Sequence, residues 1–174
     1  MIFLKFPPFQ EYLIQNTIAR TRDRFHDSKI LSFDMDKNDK TAMATGTGSS
    51  QSDLIYADSR TLTASSTENL DLAGSLTDAL GNTLTFVNVK SIYIKADSGN
   101  TNNVEVTPEA TNGFVGCFNA LTDQVDIPPS GSFLVTAPVS GWAVTASTGD
   151  LLTITNSAGA TSVTYEIVII GTSA

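Results

Sequence analysis

A chain of 174 residues suits one domain plus an extension, and its 16% of charged residues, against a usual value of roughly 25%, leaves room for the Ser, Thr, Asn and Gly of many short strands and turns. The net charge of −8 is uneven: residues 1–40 hold seven Lys/Arg and six Asp/Glu, a net of +1, whereas residues 41–174 hold Arg60, Lys90 and Lys95 against twelve acids, a net of −9. An acidic body argues against wrapping nucleic acid, which needs clustered Lys and Arg, and one cysteine, Cys117, excludes an internal disulfide and a Cys/His metal cluster.

The start of the chain differs from the rest. Ile2, Phe3, Leu4, Phe6 and Phe9 form an apolar run broken by Pro7-Pro8, too short for a signal peptide, and no window approaches the ~18 apolar residues of a membrane span. A soluble protein made in a cytoplasm is expected, with no membrane partner. Phe9, Tyr12, Leu13, Ile18 and Ala19 recur at helical spacing, so a helix is predicted over about 9–25. Arg20, Arg22 and Arg24 gather near its end, where positive charge suits the helix dipole. Two readings stand side by side: a solvated helix packed on the body, and an anchoring arm in which Ile2, Phe3, Leu4, Phe6 and Phe9, with the three arginines, grip another subunit.

Leu31, Phe33 and Met35 alternate with polar residues, giving a short strand over 30–35. The small, polar stretch 41–52 reads as a flexible linker, so that the arm is 1–52 and the body 53–174. In the body, candidate strands follow at spacings of about ten residues with turn signals between them, the pattern of a sandwich or barrel. They are 54–57, 60–64, 69–72, 84–96, 103–107, 114–118, 124–127, 132–137, 142–146, 151–155 and 163–170. Within 84–96 the apolar parity changes, since Leu84 and Phe86 agree with Ile92 and Ile94 but not with Val87 and Val89, and a bulge or bend near Asn88-Val89 reconciles them. The last strand places Val163, Tyr165, Ile167 and Ile169 on one face, while Val168 and Ile170 make the other face apolar as well, so its closing half is expected to be buried on both sides. The predicted fold is all-β, a jelly-roll-like antiparallel β-sandwich with about four strands per sheet.

The search for chemistry yields little. His26 stands in the arginine-rich segment with no partner at a recognisable spacing, and Cys117 lies among apolar neighbours as a small hydrophobe would. Asp34 to Asp39 begins like a calcium loop but has Asp39 where the turn needs Gly and Thr45 where a bidentate Glu belongs. No catalytic, cofactor-binding or metal-ligating residue is assigned, and no enzymatic activity is expected; a glycosidase-like carboxylate pair is the least favoured option. Trp142 alternates with Val144 towards a core, and Tyr93, opposite in parity to Ile92 and Ile94, is the aromatic expected to face solvent.

From about residue 61 to 172 the chain resembles small, mostly uncharacterised virion-associated proteins of tailed bacteriophages. The likeness rests on Asn69-Leu-Asp-Leu-Ala-Gly74, Leu76-Thr-Asp-Ala-Leu-Gly81, Val89-Lys-Ser-Ile-Tyr-Ile94, Asn100-Thr-Asn-Asn-Val104, Ile127-Pro-Pro-Ser-Gly131, Gly141-Trp-Ala-Val-Thr-Ala146 and Thr148-Gly-Asp-Leu-Leu152. The resemblance implies a virion component assembled in a host cytoplasm. Joined to the residue reading, it gives the expectation of a capsid decoration or cement protein, a homotrimer, attached through its arm to the major capsid protein or other virion subunits. The alternative is a receptor- or carbohydrate-binding module of a tail or head fibre, which would show exposed aromatics and polar loops at one end.

Overall fold

The computed structural model describes residues 41–174, and Ala42–Ala174 forms one compact unit. The helix expected over 9–25, the strand over 30–35 and the anchoring residues Ile2, Phe3, Leu4, Phe6, Phe9, Arg20, Arg22 and Arg24 lie outside the described residues. The described residues contain eleven strands and no helix: β1 Ala44–Thr45, β2 Gln51–Ser52, β3 Leu54–Leu62, β4 Thr67–Asp71, β5 Asn88–Ala96, β6 Val104–Pro108, β7 Val125–Ile127, β8 Ser132–Thr136, β9 Trp142–Ala143, β10 Leu151–Asn156 and β11 Val163–Thr172.

A four-stranded sheet runs β4-β10-β6-β7, and a five-stranded sheet runs β3-β11-β5-β8 with β9 beside β8 on β5. The pairs β3·β11, β4·β10, β5·β8 and β6·β7 are all antiparallel. Leaving aside the two-residue strands, the first strand thus pairs with the last, the second with the next to last, and so on inward. That nesting is a long antiparallel ribbon rolled over on itself, a jelly roll, as the periodicity predicted.

The inner faces follow the two-residue period of a strand. Val163, Tyr165, Ile167 and Ile169 of β11 are all fully buried, and they meet Leu70, Leu152, Ile154, Val104, Val106 and Ile127 of the opposite sheet in one core. Each such side chain contributes about 1.5–3 kcal/mol on leaving water. The parity change in β5 is resolved by a β-bulge: Ile170 pairs with Ser91 but Gly171 pairs with Val89, so Lys90 is the extra residue and both Val89 and Ile92 turn inward. The bulge lies one residue from its predicted place.

Several expected boundaries move. Strands 54–57 and 60–64 are one strand, β3, because Asp58 points inward at an edge, where the space between the sheets is open to water. Phe114–Phe118 is not a strand. Phe118 N donates to Val115 O (3.0 Å), and a Cβ on Gly116 would meet Trp142 and the Phe114 ring, so the segment turns tightly beneath the core edge. The stretch 41–52, read as a flexible linker, carries the parallel β1·β2 pairing; Gly46 N donates to Ser52 O (3.2 Å), Ser50 N to Pro138 O (3.0 Å) and Asp53 N to Gly171 O (3.2 Å). These bonds tie it to the sandwich, so the body begins near residue 42 and not at 53.

Candidate functional site

The largest departure from the sequence reading is on the outer side of the five-stranded sheet. Val168 and Ile170 are only half-buried, so the second face of β11 is not covered by a layer among the described residues. Register then assembles their neighbours. One row across the sheet is Ala57, Val168, Tyr93 and Leu134; the next is Ile55, Ile170, Ser91 and Thr136; on the other side runs Ser59, Glu166, Lys95 and Ser132. Leu134 is 59% exposed and Ile55 58% exposed, and Tyr93 is half-exposed, as its parity predicted. Six apolar side chains on neighbouring strands make a contiguous patch of the kind that marks contact surfaces. Over these three rows the charge is balanced, with one acid, Glu166, and one base, Lys95, within a body of net −9; Asp97 borders them one row further on, beside Thr164.

The outer side of the four-stranded sheet is the opposite in character. Thr67, Asn69 and Asp71 of β4, Thr153 and Thr155 of β10, Glu105 of β6 and Asp126 of β7 make a polar, acidic surface, with Thr67 and Thr155 joined through their hydroxyls at 3.0 Å. Glu105 and Asp126 stand directly opposite each other, and burial followed by the Asp126 charge raises the Glu105 carboxyl above its ordinary range.

The densest polar cluster lies at the mouth between edge strands β3 and β4. Glu68, pointing inward from β4, accepts from the Tyr165 hydroxyl at 2.7 Å and from Arg60 Nε at 2.8 Å and Nη2 at 2.5 Å. Arg60 Nη1 also donates to the Tyr56 hydroxyl (3.2 Å) and to Asp58 Oδ2 (3.0 Å). Tyr165 is fully buried, and burial, then the bond to Glu68, pushes its phenol far above the usual tyrosine range. It therefore stays a donor at every working pH. Arg60 is held charged more firmly than usual, first by its hydrogen bond to Glu68. A cleft of 260 Å³ lies beside these residues, between β3 and residues 75–79. Every charged group of the cluster is spent on another, so the arrangement joins the two sheets and leaves no nucleophile paired with a free base.

The remaining polar groups are structural in the same sense. Asn156, buried at the end of β10, donates from Nδ2 to Thr63 O (3.0 Å) and Thr161 O (2.8 Å) and accepts from Asn102 Nδ2 (2.9 Å). Asn100 pairs with the backbone of Thr164 through both ends of its amide, each bond 2.8 Å. These amides pin the loops at one end of the sandwich. Cys117 packs against the core edge, and burial pushes its thiol up to about 11. Among the described residues no group of three His, Cys, Asp or Glu is placed to hold a metal, none of the eight aromatic side chains is fully exposed, and no helix is long and apolar enough to cross a membrane.

None of the sequence-assigned contact residues falls on the described part, and the outer face was not assigned. Its signal was present as apolar residues on both parities, in Phe133-Leu134-Val135 and in Ile167-Val168-Ile169-Ile170.

No family model and no curated protein matches the chain. Among solved structures it is similar to a Bacillus endospore appendage protein, from a family of disulfide-linked pili, at 16% identity and a TM-score of 0.33, over 76% of this chain and 96% of that one. That likeness is remote and brings no function with it.

Proposed function

We propose that the protein is a structural subunit of a bacteriophage virion, a capsid decoration protein that acts through protein–protein contacts. The observation that carries this reading is the set of three rows on the outer side of the five-stranded sheet, largely apolar and balanced in charge on an otherwise acidic body. A surface freed of net charge over three registered rows is suited to docking on protein, because charge left unpaired in a buried contact is costly. The motif order over residues 61–172 supplies the particle, and the N-terminal residues Ile2 to Phe9 with Arg20, Arg22 and Arg24 supply the grip on the shell.

Quantitative mass spectrometry of purified particles tests it. The protein is expected at a fixed copy ratio to the major capsid protein, and deletion of residues 1–40 is expected to release it from heads. Absence from purified particles overturns the assignment; full occupancy by the truncated protein overturns the role given to the arm.

A further inference from the structure

We infer that the outer face of the five-stranded sheet pairs with the same face of a second copy about a two-fold axis lying along the strands, between β11 and β5. This deepens the reading of that face as a contact surface by naming its occupant.

The inference comes from register. Across the sheet the order is β3-β11-β5-β8. A two-fold axis along the midline lays β11 over the second copy's β5 and β3 over the second copy's β8, row upon row. Glu166 then faces the second copy's Lys95, and Lys95 faces its Glu166, since the two residues occupy one row on the two central strands. In the next row Val168 meets Tyr93, and Ala57 meets Leu134, each a smaller side chain against a larger one. Beyond it the exposed Ile55 meets the exposed Thr136, whereas Ser91, opposite Ile170, is already buried in its own copy.

Charge and volume thus both fit when the face is turned on itself. An acidic partner surface would leave Glu166 repelled and a basic one would do the same to Lys95, whereas a second copy answers both. Sheets that pack face to face keep their strands within about 30° of each other, so the central rows remain in contact in spite of twist. Two bodies of net −9 can approach through these three rows because the excess charge lies outside them, with Asp97 at their border.

The test is the mass of the full-length protein by sedimentation equilibrium. Wild type is expected at twice 18.4 kDa. Lys95→Glu faces acid with acid at both contacts and Glu166→Lys faces base with base, so each is expected to weaken pairing by about 100-fold. An equimolar mixture of the two variants restores both contacts and is expected to recover the dimer mass. That rescue separates contact between copies from the cross-strand pairing of Lys95 and Glu166 within one sheet. Leu134→Arg, at a side chain already 59% exposed, is expected to give a folded monomer whose melting temperature falls only by the stabilisation that pairing lends the native state.

A monomeric wild type, a trimer mass, dimers in both single variants, or a mixture that stays monomeric overturns the two-fold interface. Monomers found in particles overturn the interface and leave the virion assignment standing; dimers absent from particles do the reverse.

Discussion

Replacing Glu68 by Ala removes the acceptor that joins three strands. Tyr165 keeps its hydroxyl at a fully buried position with no carboxylate to receive it, and Arg60 loses two of its bonds. An orphaned buried hydroxyl costs about 1–3 kcal/mol, and a hydrogen bond to a charged group is worth about 1.5–3 kcal/mol. Arg60, with 35% of its side chain exposed, regains water and is discounted. The expected loss is about 3 kcal/mol, a fall in Tm of roughly 6–12 °C at this chain length. Tyr165→Phe deletes only the donor while Glu68 keeps Arg60, and should cost about 1.5 kcal/mol. The double variant Glu68→Ala, Tyr165→Phe should cost no more than Glu68→Ala alone, because no hydroxyl is left to orphan; the coupling is then about 1.5 kcal/mol. Urea unfolding followed by the fluorescence of Trp142, the sole tryptophan, measures all three. Additive single effects, or a Glu68→Ala loss below about 0.5 kcal/mol, would refute the claim that this carboxylate holds the sheets together.

Glu105→Gln should stabilise by about 0.5 kcal/mol at pH 7, since it relieves a like-charge cross-strand pair. The folded state raises the Glu105 carboxyl, so its penalty is present above that raised value and disappears as pH falls through it; a melting-temperature gain equal at pH 7 and pH 4 would contradict this. Gly171→Ala should cost about 2 kcal/mol, because a Cβ at the bulge meets the Asn88 carbonyl and the Phe86 ring, and a thermal melt reads it directly. Cys117 should alkylate slowly at pH 8, with a rate that climbs towards its thiol value of about 11; fast modification by iodoacetamide at pH 8 would show the thiol to be less buried than described.

The core of this fold is legible because burial follows parity wherever a strand has two flanking neighbours. Val163, Tyr165, Ile167 and Ile169 obey it without exception, and the parity change at Val89 is itself the signature of the bulge. Parity fails at the margins for two physical reasons. At an edge, facing inward does not mean being dry: Asp58 and Arg60 face inward on β3 yet stay in reach of water, and inward charges there also guard the edge against pairing with another chain. In a turn, close approach overrides alternation, as the fit of Gly116 against Trp142 and Phe114 shows. The candidate site was hidden for a third reason. Apolar residues on both faces of a strand signal burial on both faces, but sequence does not say whether the second cover comes from this chain or from another.

That ambiguity gives the two outer faces their meaning. Both are built on the same pleat, with the same demand for β-branched residues, and Thr would satisfy that demand at either one. On the four-stranded sheet it does, with Thr67, Thr153 and Thr155 interspersed among Asp71, Glu105 and Asp126. On the five-stranded sheet Thr61 and Thr164, joined through their hydroxyls at 2.9 Å, and Thr136 stand on the same side, but the middle places are taken by Val168, Ile170, Ile55, Tyr93 and Leu134. Strand propensity therefore cannot account for the second choice, and neither can the core, which the inner residues already complete. What distinguishes the faces is the medium each is made to meet. In the proposed pairing the acidic threonine surface stays in water, and the apolar rows, with Glu166 and Lys95 at matched positions, meet the same rows of a second copy.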